Sequence, residues 1–262
     1  MEVRKYGWKK QTVDTRDLKY VPHLGLALPE KVDLRPHCPP VYNQGSLGSC
    51  TANSIGGLIE YTVLKLSHFS FTPSRLFIYY NERALESTMP DAEGKIVNTI
   101  NEDSGAQIRD GMKVVHTLGV AKEETCPYDV AKFAVKPSEA AYKNGLQHIV
   151  TKYEAVKQDA SHIQACLAAG NPIAFGFEVF SSFESQKVAE TGIMEIPKTT
   201  EECMGGHAVL MVGYDIAKQW YIVRNSWGAD WGDKGYFYMP FEYAHSPLCS
   251  DFWTATFVTN HT

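Results

Sequence analysis

The sequence predicts an α+β protein, with a mostly helical first half packed against a strand-rich second half across a cleft. Three observations carry this. Apolar residues recur at helical spacing after Cys50, proline and glycine punctuate the helical runs, and beyond Pro172 the hydrophobic period falls to two.

The helices come first. Leu34 to Gly48 holds Pro36, Pro39, Pro40, Gly45 and Gly48 and reads as extended loop. Ile55, Leu58, Ile59 and Val63 then repeat at helical spacing, which puts Cys50 in the first turn of a helix. Gly56 and Gly57 lower its propensity and suit close packing. Thr72–Pro73 is a start signal for a second helix running to Glu86. Ile108, Met112 and Val115 mark a third, stopped by Gly119. A fourth, around His162 to Ala169, ends at Gly170–Asn171–Pro172.

In the second half Ile173, Phe175, Phe177 and Val179 alternate with Ala174, Gly176 and Glu178. Further strands are expected over Ala208–Tyr214, Trp220–Arg224, Gly235–Met239 and Phe252–Val258. The expected organisation is an N-terminal extension over 1–27, a helical unit over 28–150 and a β-rich unit over 151–262.

At 262 residues and 44% hydrophobic composition, the chain can bury an ordinary core without metal or disulfide staples. Its net charge of −5 argues against nucleic acid, whose binders carry a basic face. Charge is uneven, however. Residues 1–20 hold six cations against three anions, a net of +3, which leaves −8 on the rest of the chain.

No stretch has the roughly 20 apolar residues of a membrane span. The first residues lack the apolar run of a secretory signal, so a place inside a cell or virus particle is expected unless a signal has been removed. The six cysteines, Cys38, Cys50, Cys126, Cys166, Cys203 and Cys249, include no CxxC pair and read mostly as free thiols. With no Cys/His cluster at ligand spacing, neither a metal nor a cofactor is expected.

Three blocks carry chemistry. In Gln44-Gly45-Ser46-Leu47-Gly48-Ser49-Cys50 a cysteine opens a helix, where unpaired N–H groups and the helix dipole favour the thiolate. A cysteine there is also a common packing residue. Gly205-Gly206-His207 sets a histidine at the entry of an apolar strand, and alone would read as a core histidine. Asn225-Ser226-Trp227-Gly228 would alone read as an aromatic turn.

In this order the three blocks resemble the papain family of cysteine peptidases. Gln44 lies six residues before Cys50, and His207 lies 157 beyond it. That is a little more than the roughly 130–150 usual in the family, and surface insertions account for the excess. The resemblance runs from about Leu28, where Leu-Pro-Glu-Lys-Val-Asp-Leu-Arg is similar to a mature family start, to Val258. Leu47 stands where many members have a disulfide cysteine, Thr51 where an aromatic follows the nucleophile, and Gly206 where Asn or Asp is common. These departures point to a divergent bacterial or viral branch.

The resemblance implies a papain-like two-domain fold, with a helical N-terminal domain, an antiparallel β-barrel-like C-terminal domain and the cleft between them. It implies a cysteine endopeptidase in which a Cys50 thiolate, paired with protonated His207, attacks the peptide carbonyl and forms a thioester. Gln44 and the Cys50 N–H would stabilise the oxyanion, Asn225 would orient His207, and Trp227 would cover that bond. Expected partners are protein or peptide substrates and proteinaceous inhibitors, with no nucleic acid or membrane, and the enzyme is expected to be monomeric.

Acyl transfer to an amine would use the same pair. A silent binding module would have no need of the whole set. Gly206, Trp227, Thr254 and Ala255 are candidates for lining the substrate cleft. A neutral floor at Thr254 and Ala255 would accept apolar side chains, whereas Asp251 turned inward would favour arginine. By the same resemblance Cys203 and Cys249 are the one pair suited to a disulfide.

The family's inhibitory segments are longer than residues 1–27, yet Tyr6, Trp8, Tyr20 and Leu24 offer apolar anchors on a basic tail facing an acidic body. Two placements are open: a plug over the cleft, or a strap far from it.

Overall fold

The computed structural model describes residues 4–22, 27–67, 71–90 and 94–260; Leu24, expected as a tail anchor, lies outside them. The helices are α1 Cys50–Ser67, α2 Arg75–Glu86, α3 Ile108–Thr117, α4 Glu139–Gly145, α5 Ala160–Ala168, α6 Gln186–Thr191 and α7 Phe241–Ala244. The strands are β1 Lys31–Asp33, β2 His148–Ala155, β3 Ile173–Phe180, β4 Cys203–Asp215, β5 Trp220–Arg224, β6 Tyr236–Pro240 and β7 Cys249–Asn260.

Helix α1 is the pivot of the fold. Nearly all its residues from Cys50 to Val63 are buried, because it lies between β4 and β7 on one side and α2 and α3 on the other. A helix enclosed on all sides needs small residues where neighbours press closest. A Cβ on Gly56 would sit 3.3 Å from Cγ of Arg75, and one on Gly57 would sit 3.4 Å from Nε of Arg224 and Cδ2 of Leu210. Full burial of side chains such as Leu58 and Ile59 contributes about 1.5–3 kcal/mol each.

Helix α2 starts later than Thr72–Pro73 suggests. Pro73 is held in a bridge to Lys122, and Ser74 is the cap, its Oγ accepting from the Phe77 N–H at 3.1 Å. A serine acceptor satisfies an otherwise orphaned N–H, which proline at this end does not do. Asp159 caps α5 in the same way, its Oδ1 accepting from the His162 N–H at 2.9 Å. Gly119 follows α3 in left-handed backbone at φ +68°, as a helix stop requires.

The strands form one antiparallel sheet in the order β2-β7-β3-β4-β5-β6, with β1 also paired to β4. Among the described residues its ends do not meet, so it is an open sheet and not the barrel-like closure expected. Strand β4 begins at Cys203, five residues before its expected start, because Gly205 and Gly206 pair with Val179 and Glu178 of β3. The pattern did not reveal β2, whose register with β7 shifts on either side of Lys152 and breaks the period of two. The expected division at 150/151 falls inside this strand.

All six cysteines are free. Cys249 pairs with Phe177 on one edge of β3, and Cys203 pairs with Phe180 on the other. Two strand spacings separate them by roughly 10 Å, beyond the span of a disulfide. No helix among the described residues is long and apolar enough to cross a membrane.

Candidate active site

The loop before Cys50 is shaped by its own residues. Asn43 Oδ1 accepts from the Gly45 N–H at 2.9 Å, and Gly45 takes φ +59° to complete the turn. Leu47, where the family disulfide is missing, is buried, and its carbonyl accepts from Gln44 Nε2 at 2.9 Å. The Gly48 N–H donates to Asp103 at 3.0 Å. Hydrogen bonds thus hold the loop. Thr51, in the place of the usual aromatic, donates through Oγ1 to Glu82 at 2.8 Å and ties α1 to α2.

The Asn225–Gly228 turn is stitched to this loop. The Gln44 N–H donates to the Ser226 carbonyl at 2.9 Å, the Gly228 N–H to the Tyr42 carbonyl at 2.9 Å, and Ser226 Oγ to Gln44 Oε1 at 2.6 Å. These contacts fix the Gln44 amide with its nitrogen toward the Leu47 carbonyl in the loop that leads to Cys50. From β4, His207 Nε2 shares a hydrogen bond of 2.8 Å with Asn225 Oδ1. Trp227 stacks on the imidazole with centroids 4.9 Å apart and 19° between the planes. Among the described residues nothing bonds to His207 Nδ1. Gln44, His207, Asn225 and Trp227 are joined by these contacts, and Cys50 lies beside them, its sulfur against the Ala208 N–H next to His207.

Thr254 and Ala255 do not join them. Thr254 is fully buried and donates through Oγ1 to the Pro172 carbonyl at 2.8 Å, while Ala255 is sealed opposite Tyr153. The residue of β7 that meets the cleft is Asp251. Its Oδ2 accepts from Trp8 Nε1 and from the Gln11 N–H, each at 2.9 Å.

The N-terminal segment accounts for the rest. Residues 4–9 run along the cleft, with the Trp8 N–H donating to the Gly206 carbonyl at 3.0 Å. The Lys9 N–H donates to Ala106 at 2.9 Å, and the Ala106 N–H returns to Gly7 at 2.7 Å. The Lys5 carbonyl faces Gln44 Nε2 at 3.5 Å. Gly7 passes so close that a Cβ there would overlap the Gly48 carbonyl. Three cations of the tail meet carboxylates of the body: Arg4 with Glu184 at 2.6 Å, Lys5 with Asp103 at 2.9 Å and Lys9 with Glu86 at 2.8 Å. The Tyr6 hydroxyl also bonds Glu184, and the Arg4 guanidinium lies 3.9 Å over the Trp227 ring.

Residues 17–20 form a separate strap. Asp17 pairs with Arg109 at 2.7 Å, and the Tyr20 N–H donates to Ala155 at 2.9 Å. Residues 4–9 thus lie against Gly48 and His207, and residues 17–20 pack on Arg109 and Ala155. Glu184, Asp103 and Glu86 carry no local motif and become recognisable only as a ring of carboxylates around a basic strand.

Cys50 and His207 are each 0% exposed beneath this segment. Burial pushes the Cys50 thiol up to about 11, against the pull of the Ala208, Gly7 and Thr51 backbone N–H groups. Burial also lowers His207 to about 4; the Asn225 hydrogen bond opposes that shift and the Arg4 charge adds to it. Burial beneath the segment therefore favours the uncharged form of each group, against the thiolate–imidazolium pair that the resemblance implies. Among the described residues no cluster of side chains is fit to hold a metal.

The comparisons agree with this geometry. The model of the papain family cysteine protease matches residues 86–250. An uncharacterized peptidase C1-like protein of Acanthamoeba polyphaga mimivirus is 43% identical over 240 residues, covering 88% of this chain and 74% of its own. A cathepsin B-like protein of Giardia intestinalis is 30% identical, over 80% of this chain and 68% of its own. Among solved structures, xylellain, a cysteine protease from Xylella fastidiosa, is 40% identical with a TM-score of 0.87, covering 97% of this chain and 98% of its own. The chain belongs to the papain family of cysteine proteases.

Proposed function

We propose that this chain is an endopeptidase made latent by its own N-terminal segment. Cys50 is the nucleophile, His207 the acid and base, Asn225 the group that orients His207, and Gln44 with the Cys50 N–H the oxyanion donors. The observation that carries the proposal is the coincidence of the tail with the chemistry. Lys5 presents a carbonyl to Gln44, Gly7 lies on the nucleophile loop, and both reacting groups are cut off from water.

Displacing residues 4–9 readmits water and removes Arg4 from beside His207. The thiol is then free to fall and the imidazole to rise, and the helix N-terminus at Cys50 together with the attraction between the two charges carries the thiol below the imidazole, so that the proton passes from sulfur to nitrogen. The thiolate attacks the peptide carbonyl, His207 protonates the leaving amine, and water hydrolyses the thioester with His207 as base. Asn225 holds the imidazole from Nε2, leaving Nδ1 as the nitrogen for both transfers.

The test uses the whole chain. Gly7→Val puts a branched side chain against the Gly48 backbone and should force the segment out of the cleft. Hydrolysis of an unselective peptide mixture should rise by at least about tenfold, which needs only about 1.4 kcal/mol of tail displacement. Adding Cys50→Ala should abolish it. A Gly7→Val protein no more active than the parent would defeat the latency reading, and activity surviving Cys50→Ala would defeat the assignment of the nucleophile.

A further inference from the structure

The peptide unit between Leu47 and Gly48 is gripped at both ends. Its carbonyl accepts from Gln44 Nε2 at 2.9 Å, and its N–H donates to the two carboxylate oxygens of Asp103 at 3.0 and 3.1 Å. A peptide is planar, and in its trans form the C=O and N–H point in opposite directions, so fixing one end aims the other. Asp103, this peptide and the Gln44 amide form one line of hydrogen bonds. Ser226 Oγ anchors the other end of that line, donating to Gln44 Oε1 at 2.6 Å.

Asp103 is itself held from behind. The hydroxyl of Tyr79, a fully buried residue of α2, donates to Oδ1 at 2.6 Å and accepts from the Gly105 N–H at 3.0 Å. The Asp103 side chain is only 9% exposed, and a carboxylate so enclosed is stabilised by its donors. The contact is also tight, since a Cβ on Gly48 would sit 3.0 Å from Oδ1.

Lys5 of the tail touches both ends of the line. Its ammonium lies 2.9 Å from Asp103 Oδ2, and its carbonyl faces Gln44 Nε2 at 3.5 Å. When residues 4–9 leave, the bonds from Gly48 and Tyr79 remain, because both partners belong to the body. The line then ends on a Gln44 N–H with nothing from the tail in front of it.

We propose that Asp103 is a positioning residue for peptide hydrolysis, aiming the oxyanion donor of Gln44 through the Leu47–Gly48 peptide. This rests on the reading of Gln44 as that donor. Glycine at 45 and 48 leaves the loop backbone free to turn, so the plane of this peptide depends on what grips it. An oxyanion donor acts only when held about 2.7–3.1 Å from the developing charge, and its neighbours must fix it there beforehand. A carboxylate does this more firmly than a neutral acceptor, because its bond to an N–H is charge-assisted.

The test is made in the full-length Gly7→Val chain on one fluorogenic peptide. Asp103→Ala should lower kcat by at least about tenfold and leave KM within about threefold, as for a misaimed donor. Alkylation of Cys50 by iodoacetamide should keep its rate, because attack by sulfur on that carbon forms no oxyanion. In a chain that already carries Gln44→Ala, Asp103→Ala should cost less than about threefold, since the residue acts through Gln44. Asp103→Asn retains an acceptor for the Gly48 N–H and should recover kcat to within about threefold of the Asp103 chain.

Undiminished kcat in Asp103→Ala, or an equal loss with Gln44 present and absent, would overturn the assignment and leave the peptidase reading standing. An Asp103→Ala chain whose buried Cys166 and Cys249 become reactive, or an Asp103→Asn chain as slow as Asp103→Ala, would make Asp103 a support of the fold and overturn it too. A Gly7→Val protein that stays silent would overturn both readings.

Discussion

Nε2 of Gln44 faces the carbonyl oxygen of Lys5 at 3.5 Å, while Ser226 Oγ holds the other end of the same amide at 2.6 Å. The nitrogen donates one N–H to Leu47 in its own loop at 2.9 Å, and its other N–H faces the tail. A substrate carbonyl must take the place of Lys5 before it can be polarised. Gln44→Ala, made in the Gly7→Val chain, should lower kcat by about 10²–10³ with a far smaller change in KM, as loss of one oxyanion donor does elsewhere. A fall in KM-dependent binding alone would place Gln44 in recognition and not in catalysis.

The tail is held more by burial than by charge. The three ion pairs that residues 4–9 make with the body are partly exposed and contribute about 0.2–1 kcal/mol each. Truncating a buried tryptophan costs about 3–5 kcal/mol. Replacing Arg4, Lys5 and Lys9 by alanine, or raising salt to about 1 M, should therefore raise activity by no more than about tenfold. Trp8→Ala should raise it by about a hundredfold or until the cleft is fully open. Steady-state assays at two salt concentrations on the parent, the triple variant and Trp8→Ala check the order, and a larger effect of the triple variant would reverse it.

His207 makes stability depend on pH. Its native value of about 4 lies below the ordinary 6.5, so between these limits the unfolded chain binds more protons than the folded one. The contribution is fully present above 6.5 and is lost as pH falls toward 4, at a cost of about 3 kcal/mol. Thermal unfolding of the parent should be lowered more than that of His207→Gln when both are taken from about pH 7 to pH 4. Equal losses in the two proteins would show that His207 is not held neutral.

Within the opened enzyme the residues should rank by role. Cys50→Ala and His207→Ala should each remove nearly all activity, and the double variant little more, because the two act as a unit. Asn225→Ala should be milder, since it removes orientation and leaves the reacting groups. Single-turnover rates on one peptide would establish the ranking, and an additive double variant would argue against a coupled pair.

Much of this site is legible in the sequence because each reacting group sits at a local signal. Cys50 follows a glycine-bearing turn and opens a helix, His207 follows a glycine pair into a strand, and Asn225 sits in an aromatic turn. Asp251 was visible only as one of two options for a pocket floor, because its direction depends on a bulge created where β7 pairs with β3. Thr254 and Ala255 meet Pro172 and Tyr153 instead, partners that come from distant parts of the chain and that no local pattern shows. The start of β4 was misplaced because Gly205 and Gly206 are weak strand formers that β3 recruits by pairing. The upward shift of the Cys50 thiol and the downward shift of His207 were illegible too, since burial causes both and a segment more than 40 residues away along the chain contributes to it.

The covered cleft is tested most directly at the sulfur of Cys50. The full-length protein and its Gly7→Val variant would be treated with iodoacetamide, and modification of each cysteine followed by peptide mass mapping. Cys203 is exposed and reports the reagent, while the buried Cys166 and Cys249 report unfolding. Cys50 in the parent should react at least about a hundredfold more slowly than Cys203, because a buried neutral thiol is inert. In Gly7→Val it should speed up by at least about tenfold, with Cys166 and Cys249 still protected. Cys50 reacting at one rate in both proteins would mean that residues 4–9 do not shield the nucleophile.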